Sequence, residues 1–387
     1  MESRLKPHSY EPLLRLSYHP GMRIAHIESG RHLYGGARQV GYLIDGLAGR
    51  GVANILICPP GHALAALRPP AALRELPMRG DLDVGMIGRL RRAFAELAPD
   101  VVHVHSRRGA DLFAGLACAS ASSGPAAILT RRVESDEPGF WARFKYRPYR
   151  AVVAISRAVR EQLCGRAGLD PARVPTIASA VDTQAFAPDR HARARVVREF
   201  VLPEDAFIIA VSAQLIARKG HAHFLRCLPE IVRAHPRVRV LCFGRGPLRA
   251  PLERLAAALK LSAHVQFPGF RDDISVVLPG VDLLVHPAVR EGLGLAVLEA
   301  MSAGVPVVAT AAGGIVDAVT DGREGLLVPA GDRARLSAAV QRFAADAGLR
   351  ARMGAAGRER ARADFSIARM TDLYLRLYAD VRARAAV

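Results

Sequence analysis

The chain has 387 residues, of which 50% are apolar and 23% are charged, and this composition predicts a globular protein of two or three domains rather than a disordered chain. A formal net charge of +18 favours anionic partners such as nucleic acid, acidic lipid headgroups or phosphorylated glycans. Every long uncharged stretch is interrupted by Gly or Pro, and residues 1–20 lack a signal-peptide pattern, so we expect neither a membrane-spanning helix nor secretion. The five cysteines lie far apart, and we expect them to be reduced in the cytoplasm.

The first half of the chain alternates apolar strands with helices. Residues 1–21 are aperiodic and form an N-terminal extension, so Met22 is a candidate functional start. The pattern predicts strands at 23–27, 53–58, 101–105, 127–130 and 152–155, and helices at 40–47, 86–97, 111–119 and 157–164. Strands separated by helices predict a parallel sheet with helices on both faces. We therefore assign residues 22–185 to one doubly wound α/β domain.

The same alternation returns in the second half of the chain, after a helix predicted at 189–200. The predicted strands lie at 207–211, 237–243, 264–267, 283–286, 305–310 and 325–328. Residues 186–364 therefore form a second α/β domain of the same class, and residues 365–387 form a helix that we expect to pack across the domain junction. Ligands of open parallel sheets bind beyond the carboxyl ends of the strands, so two such domains facing each other would form one cleft.

The loop after the strand at 283–286 has the clearest chemical character. It carries Glu291, Gly292 and Gly294 and leads into a helix predicted at 295–303, in which Glu299 lies about one turn from the start. Glycines allow backbone N–H groups to approach a ligand, and a helix N-terminus favours anionic or polyhydroxyl groups. Glu299 can accept hydrogen bonds from a vicinal diol, and Glu291 can orient sugar hydroxyls. Two glutamates at this spacing are by themselves more often solvent-facing side chains, so the neighbouring sequence decides the interpretation.

This segment resembles the E-x7-E signature of family 4 of the retaining, nucleotide-sugar-dependent glycosyltransferases. Five further blocks resemble that family in the expected order, and they lie at 217–220, 243–248, 265–270, 309–317 and 321–329. The resemblance covers residues 22–378. It implies a GT-B architecture, in which two Rossmann-like domains face a cleft, the first serves the acceptor and the second holds most of the nucleotide-sugar donor.

The resemblance also implies roles for residues of the second domain. Glu299 would bind the donor ribose, and the sugar would be held by Glu291 and by the backbone around Gly292, Leu293, Gly294 and Leu295. Lys219, together with Arg218, would neutralise the diphosphate as it leaves. Gln214 stands where many relatives carry an arginine, and Arg218 is the candidate for the missing charge. Lys219, Arg218 and Glu291 are thus the candidate catalytic residues, and we expect neither a metal nor another cofactor.

In the first domain, Gly35 and Gly36 resemble the loop whose backbone amides contact the diphosphate from the opposite side, although a Gly-Gly pair alone equally predicts a tight turn. His105 is expected near the rim of the cleft, and His103 is expected to be a core histidine. Many relatives have a histidine at the position of Arg131, so we expect Arg131 to present a cation to an anionic acceptor.

Residues 139–150 interleave aromatic and cationic side chains. Such a segment is typical of a surface that lies among acidic lipid headgroups, but it can also stack on the bases of single-stranded nucleic acid. A third interpretation is a helix with Trp141 and the phenylalanines in the core and the cations outside.

The resemblance, together with these residues, implies a retaining, metal-independent glycosyltransferase that moves a hexose-type sugar from a nucleotide diphosphate sugar to a lipid-linked or lipopolysaccharide-type acceptor. We expect it in the cytoplasm, peripheral on the inner face of the cytoplasmic membrane, in the synthesis of lipopolysaccharide or another surface polysaccharide. Two alternatives remain open. A nucleotide-sugar epimerase on the same fold would act without an acceptor, and a basic nucleic-acid-binding protein would leave the segment from Glu291 to Glu299 unexplained.

Overall fold

The computed structural model describes residues 21–30, 35–107, 109–120, 124–133, 137 and 139–384, which form two α/β domains. The predicted N-terminal extension lies almost entirely outside these residues. The strands of the first domain are β1 (Arg23–Ile27), β2 (Ala53–Cys58), β3 (Ala72–Glu75), β4 (Val101–Val104), β5 (Ala126–Arg131) and β6 (Ala151–Ala154). Its helices are α1 (Gly35–Ala48), α2 (Ala63–Ala66), α3 (Met86–Leu97), α4 (Ala110–Ala119), α5 (Gly139–Tyr146) and α6 (Arg157–Gly165).

The second domain follows the same plan. Its strands are β7 (Phe207–Ser212), β8 (Val238–Phe243), β9 (Val265–Gly269), β10 (Leu283–His286), β11 (Val307–Thr310) and β12 (Gly325–Val328). The helices from this point to the end of the described chain are α7 (Ala192–Glu199), α8 (His221–Leu225), α9 (Leu228–Ala234), α10 (Arg249–Ala258), α11 (Ile274–Val277), α12 (Leu295–Ser302), α13 (Ile315–Ala318), α14 (Arg333–Ala345), α15 (Ala347–Asp364) and α16 (Ile367–Ala383).

Each domain contains one six-stranded sheet, and the described strand pairs are all parallel. The strand orders are β3-β2-β1-β4-β5-β6 and β12-β11-β10-β7-β8-β9. Counted from the first strand of each domain, both sheets have the doubly wound order 3-2-1-4-5-6. The predicted fold class is thus confirmed. The order reverses between β1 and β4 and between β7 and β10, so ligands are expected beyond the carboxyl ends of these four strands.

The sequence pattern located the buried strands and three of the four edge strands, β6, β9 and β12, but missed the fourth. The described β1 and β2 begin and end where they were predicted, because their Ile, Leu and Ala side chains are buried by helices on both faces of the sheet. The short strand β3 was not predicted. It lies at the edge of the first sheet with mostly exposed side chains, so its sequence, Ala-Leu-Arg-Glu, has no apolar run.

The last described helix, α16, leaves the second domain and packs on the first. Its residues Tyr374 and Tyr378 are buried in a core cluster with apolar residues of α1, β1 and β4. Where the chain returns, the amide of Val181 donates a hydrogen bond to the carbonyl of Phe365 over 2.8 Å. Two chain segments therefore run side by side between the domains.

Helix α5 exposes three of its four aromatic rings and buries that of Tyr146. Phe140, Trp141 and Phe144 are 79%, 40% and 51% exposed. Lys145 is buried instead, with its ammonium 2.5 Å from the carboxylate of Asp111. The interpretation with the rings in the core and the cations outside is therefore wrong.

Within the described ranges, every helix is too short or too polar to span a bilayer.

Candidate active site

A cavity of about 450 Å³ lies between the two domains, beyond the carboxyl ends of the central strands. The first domain lines it with the start of α1 and the residues after β5, and the second with the loops after β7, β8 and β10 and the first turns of α12. Most of the residues predicted from the sequence line this cavity together: Gly35, Gly36, Arg218, Lys219, Glu291, Leu293, Gly294, Leu295 and Glu299.

Lys219 reaches the cavity from a single 3-10 turn, Ala217–Lys219, that follows β7. Gly220 ends this turn in the left-handed conformation with φ of 72°, and a Cβ at Gly220 would overlap the carbonyl oxygen of Pro287. Only glycine permits this close approach, which holds the turn against the loop after β10. The ammonium of Lys219 consequently contacts the carboxylate of Glu291 in that loop.

Glu291 is fixed by contacts on both carboxylate oxygens. Its Oε2 accepts a hydrogen bond from Nε2 of His286 over 2.9 Å and also contacts Lys219, while its Oε1 accepts from the amide of Gly292 over 3.1 Å. Burial alone would raise the pKa of Glu291, but the hydrogen bond from His286 and the charge of Lys219 hold this pKa well below its usual value. Glu291 is therefore an ionised, oriented carboxylate at the floor of the cavity.

Glu299 lies in α12 and faces the first domain across the cavity. Its Oε1 is 3.7 Å from Nη1 of Arg38, a residue of α1. Burial raises the pKa of Glu299 to about 7, although the charge of Arg38 opposes this rise. The ionised carboxylate offers hydrogen-bond acceptors to a ligand that enters between the two helices.

The N-termini of α1 and α12 face each other at this point. A Cβ at Gly35 would lie 2.6 Å from Cδ1 of Leu295, so the first residues of the two helices are in direct contact. Both termini present unpaired backbone N–H groups and partial positive charge. This arrangement favours an anionic group bound between the two domains.

Three predicted residues do not line the cavity. Arg131 is buried in the first domain, with its Nη1 3.3 Å from the carboxylate of Asp111, so the expectation that it faces an acceptor is wrong. Successive strand residues point to opposite faces of a sheet, and the next residue, Arg132, lines the cavity instead. His105 lies behind Arg132, which donates to its Nδ1 over 3.2 Å. Gly292 packs against the first domain, where a Cβ would overlap the carbonyl oxygen of Arg132.

Other polar side chains of the cavity were given no role by the sequence analysis. They are Arg38, Gln39, Arg132, Arg245, Arg271 and His286. Gln214 and Arg218 both line the cavity, so the position where relatives carry an arginine is part of it. Arg245 follows β8, with its guanidinium carbon 4.6 Å from the centre of the Phe270 ring. Arg245 follows closely after a predicted strand of the second domain, and this position could have indicated from the sequence that it lines the cleft.

Among the described residues, one group of three side chains has metal-ligating atoms close together. These are His26, His103 and His105, whose ligand atoms lie within 4.8 Å of one another. None of the three is among the residues that line the cavity. His26 and His105 are hydrogen bonded to each other, His26 also to Asn54 and His105 to Arg132, whereas His103 pairs with Thr130 and Tyr378. All three rings are therefore engaged in hydrogen bonds in the core of the first domain.

Two doubly wound domains with an intervening cleft, lined by cations, helix N-termini and two carboxylates, define the GT-B class of proteins. Solved structures share this fold. A glycosyltransferase from Rickettsia africae ESF-5 superposes with a TM-score of 0.83 at 19% identity, covering 93% of this chain and 98% of that one. Anabaena HepE, solved in complex with UDP and glucose, superposes with a TM-score of 0.82 at 17% identity, covering 93% and 100%.

Sequence comparison identifies the family. Residues 34–185 match the family described as "Glycosyltransferase Family 4", and residues 193–360 match "Glycosyl transferases group 1". The chain therefore belongs to family 4 of the glycosyltransferases, as its motifs predicted.

Curated relatives match over part of their length. The lipopolysaccharide core biosynthesis glycosyltransferase LpsE of Rhizobium meliloti is 35% identical over 177 residues, which is 46% of this chain and 51% of that protein. The GDP-mannose-dependent alpha-(1-6)-phosphatidylinositol monomannoside mannosyltransferase of Mycolicibacterium smegmatis is 33% identical over 223 residues, 54% of this chain and 56% of that protein. The chain thus spans about half the length of these relatives.

Proposed function

We propose that this protein is a retaining, metal-independent glycosyltransferase that moves a hexose-type sugar from a nucleotide diphosphate sugar to a membrane-associated glycan or glycolipid. The observation that carries the proposal is the meeting of Lys219, Glu291 and Glu299 with the N-termini of α1 and α12 in one interdomain cavity. Relatives named for lipopolysaccharide-core synthesis and for mannosyl transfer to a phosphatidylinositol mannoside support the acceptor class. A role in lipopolysaccharide or other surface-polysaccharide synthesis follows.

The donor would lie across the cavity from Glu299 to Lys219. The ionised carboxylate of Glu299 accepts hydrogen bonds from the two ribose hydroxyls, and Glu291 with the backbone from Gly292 to Leu295 orients the sugar. The diphosphate then meets the N-terminus of α1, with Gly35 at its first position, and the cationic side chains of the second domain. Each part of the donor thereby has a partner of complementary chemistry.

The transfer step needs stabilisation of the departing diphosphate. The bond between the anomeric carbon and the phosphate oxygen breaks with its electron pair on that oxygen, and the acceptor oxygen bonds to the same face of the sugar. The acceptor proton passes to the departing phosphate oxygen, so no protein base is required and the configuration is retained. Lys219 and Arg218 supply fixed positive charge where the negative charge develops, which is the role a metal would otherwise have.

The exposed face of α5 supports a location at an acidic membrane surface. Phe140, Trp141 and Phe144 project from it, and Arg143 and Arg147 are exposed beside them. Aromatic rings enter the headgroup region while arginines stay near the lipid phosphates. This arrangement would hold the protein peripherally at the cytoplasmic face of the membrane, where a lipid-linked acceptor is found.

A nucleotide panel tests the donor class. We expect one of UDP, GDP or ADP to raise the melting temperature of the protein, because a ligand that binds only the folded state stabilises it, and more so the tighter it binds. A panel in which none of the three has any effect would contradict the proposal. Conversion of a nucleotide sugar to its epimer without an acceptor would favour the epimerase alternative.

Substitution of Lys219 tests the chemistry. Lys219→Ala should lower turnover about a hundredfold or more, since one electrostatic contact to the developing charge is typically worth ~3 kcal/mol. Arg254→Ala, at an exposed position of α10, is the matched control and should leave turnover unchanged. Wild-type turnover by Lys219→Ala would remove Lys219 from the mechanism.

A further inference from the structure

A chain of hydrogen bonds runs under the floor of the cleft in the first domain and ends at Arg132. Oδ1 of Asn54, in β2, pairs with Nε2 of His26, in β1, over 3.1 Å. Nδ1 of His26 pairs with Nε2 of His105 over 3.1 Å, and Nδ1 of His105 pairs with Nη2 of Arg132 over 3.2 Å. Asn54, His26 and His105 are all buried. We call these three residues the histidine relay.

The orientation of Asn54 is fixed by the backbone. Its Nδ2 donates to the carbonyl oxygens of Val52 over 3.2 Å and Ile44 over 3.4 Å. The Asn54 amide therefore cannot exchange its oxygen and nitrogen without losing both bonds, and its Oδ1 must face His26.

One set of proton positions satisfies the whole relay. The amide oxygen of Asn54 only accepts, so His26 carries its proton on Nε2 and accepts at Nδ1. His105 must then donate from Nε2, which leaves its Nδ1 to accept from Arg132. A guanidinium only donates hydrogen bonds and the amide oxygen of Asn54 only accepts them. Both ends of the relay therefore require every hydrogen bond to be donated in the direction from Arg132 to Asn54.

The relay needs neutral imidazoles, and burial keeps them neutral. Burial lowers the pKa of His26 to about 4, against the opposing hydrogen bond to Asn54. Burial and the neighbouring rings of His103 and His26, with the charge of Arg132, lower the pKa of His105 well below its usual value. A protonated His105 would have no lone pair for Arg132, so the neutral state is the one that holds the guanidinium.

Arg132 stands at the entrance to α1. A Cβ at Gly36 would lie 3.6 Å from Cδ of Arg132, and Arg132 lines the same cavity as Lys219 and Arg218. Among the residues that the structure describes, Nε of Arg132 is buried and has no hydrogen-bond partner. The guanidinium therefore keeps donor capacity beside a helix N-terminus that favours anions. The carboxylate of Glu28 interacts with this charge but makes its hydrogen bond with the amide of Gly30.

We propose that the histidine relay fixes the guanidinium of Arg132 so that it binds the terminal phosphate of a nucleoside diphosphate from the first domain, opposite Lys219 and Arg218. This inference rests on the proposed function, because it adds a contact to the same donor. Arg132 is then a binding residue, and His26 and His105 are positioning residues that act through it. The donor's phosphates would be clamped by cations of both domains, each held in place before the donor arrives.

Calorimetric titration separates this contact from the donor site as a whole. The probe is whichever of UDP, GDP and ADP binds the wild-type protein, with the matching monophosphate for comparison. Arg132→Lys should bind the diphosphate about tenfold more weakly, because an ammonium cannot reproduce the planar, bidentate contact, while affinity for the monophosphate should change less than about threefold. The control is Arg131→Lys, the adjacent arginine that faces away from the cavity, which should bind both as the wild type does.

Failure of this inference and failure of the proposed function would give different results. Equal diphosphate affinities of the wild type and Arg132→Lys would overturn the inference, and so would equal weakening of the diphosphate and the monophosphate. A wild-type protein that binds no nucleoside diphosphate would instead contradict the proposed function.

A double-substitution experiment tests the relay itself. His105→Phe keeps a ring of similar size and removes the acceptor, so it should weaken diphosphate binding about fivefold in the wild type and have almost no effect in Arg132→Lys. His62→Phe, at a buried histidine that caps α2 elsewhere in the first domain, is the control and should not change binding. Additive effects of His105→Phe and Arg132→Lys would overturn the positioning role.

The tautomers can also be read from the unmodified protein. Spectra of ¹⁵N-histidine-labelled protein at pH 6 should show His26 and His105 neutral, each with its proton on Nε2. Protonated rings, the opposite tautomers or a stoichiometric metal ion bound to these rings would overturn the inference even if the variants fail to fold.

Discussion

The side chain of Glu299 gains or loses its proton close to neutral pH, since burial raises its pKa to about 7 and the charge of Arg38 only partly offsets this. Its neighbour in the site behaves differently, because the pKa of Glu291 is held well below its usual value and Glu291 stays ionised. If Glu299 binds the donor ribose as proposed, donor binding depends on pH at this one carboxyl group.

We expect the affinity for a nucleotide sugar to fall as the pH is lowered from 8 to 6, by up to about tenfold for each pH unit below 7, because the protonated acid no longer accepts two hydrogen bonds. Calorimetry with UDP-glucose or GDP-mannose measures this, since their phosphate groups do not titrate in this range. Glu299→Gln should bind weakly at pH 8 with no further loss at pH 6. A wild-type affinity that is constant from pH 6 to 8 would rule out the ribose role.

The site residues divide into those that a sequence can predict and those that it cannot. Glu291 and Glu299 belong to one continuous loop and helix, so their relation to each other is local and was predicted. The choice between Arg131 and Arg132 depends on which way each points as β5 ends, and residue type does not decide this between two adjacent arginines. Arg38 meets Glu299 only because the domains close on each other, and neither domain's own pattern contains that information.

At the scale of elements, α5 has one exposed face with apolar rings and one buried face with a lysine that forms ion pairs. Lys145 of α5 is 2.8 Å from the carboxylate of Glu137 and also pairs with Asp111 of α4. These buried ion pairs and the buried ring of Tyr146 hold the helix in place without using Phe140, Trp141 or Phe144. These three rings therefore remain free for another surface.

Replacement of Phe140, Trp141 and Phe144 together by Ser should lower binding to phosphatidylglycerol vesicles about tenfold or more, since these rings supply most of the apolar area of the helix face. Thermal stability should change little because the rings are exposed. Co-sedimentation measures the binding, with Val276→Ser in α11 of the second domain as the control. Undiminished binding by the triple variant would place the membrane contact elsewhere on the protein.

Element prediction succeeded where burial shaped the sequence. The start of α6 is an example, because its predicted first residue, 157, is the observed one, and the hydroxyl of Ser156 caps the helix there by accepting a hydrogen bond from the amide of Val159 over 3.3 Å. The exposed face of α5 was not decided by its sequence, since interleaved rings and cations suit a core helix and a membrane surface equally. The core-helix interpretation is excluded by the burial of Lys145, which depends on Asp111 in another helix and on Glu137 just before α5.

At the scale of the whole molecule, the domains approach each other through closely packed backbone. Gly292 of the second domain lies against the carbonyl oxygen of Arg132 in the first. Nearby, the amide of Arg157 donates to Asp317 over 2.6 Å. The cavity is complete only when these contacts are made, so the closed arrangement is the one that can hold a donor from both sides.

Gly292→Ala should prevent this closure, because the added methyl group would overlap the carbonyl of Arg132 while Gly292 itself has no left-handed backbone for alanine to strain. Turnover should fall about a hundredfold, as expected when the reacting groups are held about 1 Å out of place. Nucleoside diphosphate binding should weaken as well, because the open arrangement loses the proposed contacts of Arg132 and α1, and small-angle scattering with nucleotide should show a larger radius of gyration than for the wild type. Gly88→Ala, where a Cβ meets open space, is the control. Normal turnover by Gly292→Ala would contradict this account of the cleft.

The return of α16 to the first domain has a consequence for how the protein is made. Tyr374 and Tyr378 complete an apolar cluster with Leu43 and Leu47 of α1, so a domain translated early is finished by residues translated more than 300 positions later. While the ribosome adds the second domain, that cluster stays uncovered and is exposed apolar surface, which makes a folding intermediate prone to aggregation. Removal of the last turns of α16 should accordingly destabilise the first domain, although that domain is the farther of the two from α16 in sequence.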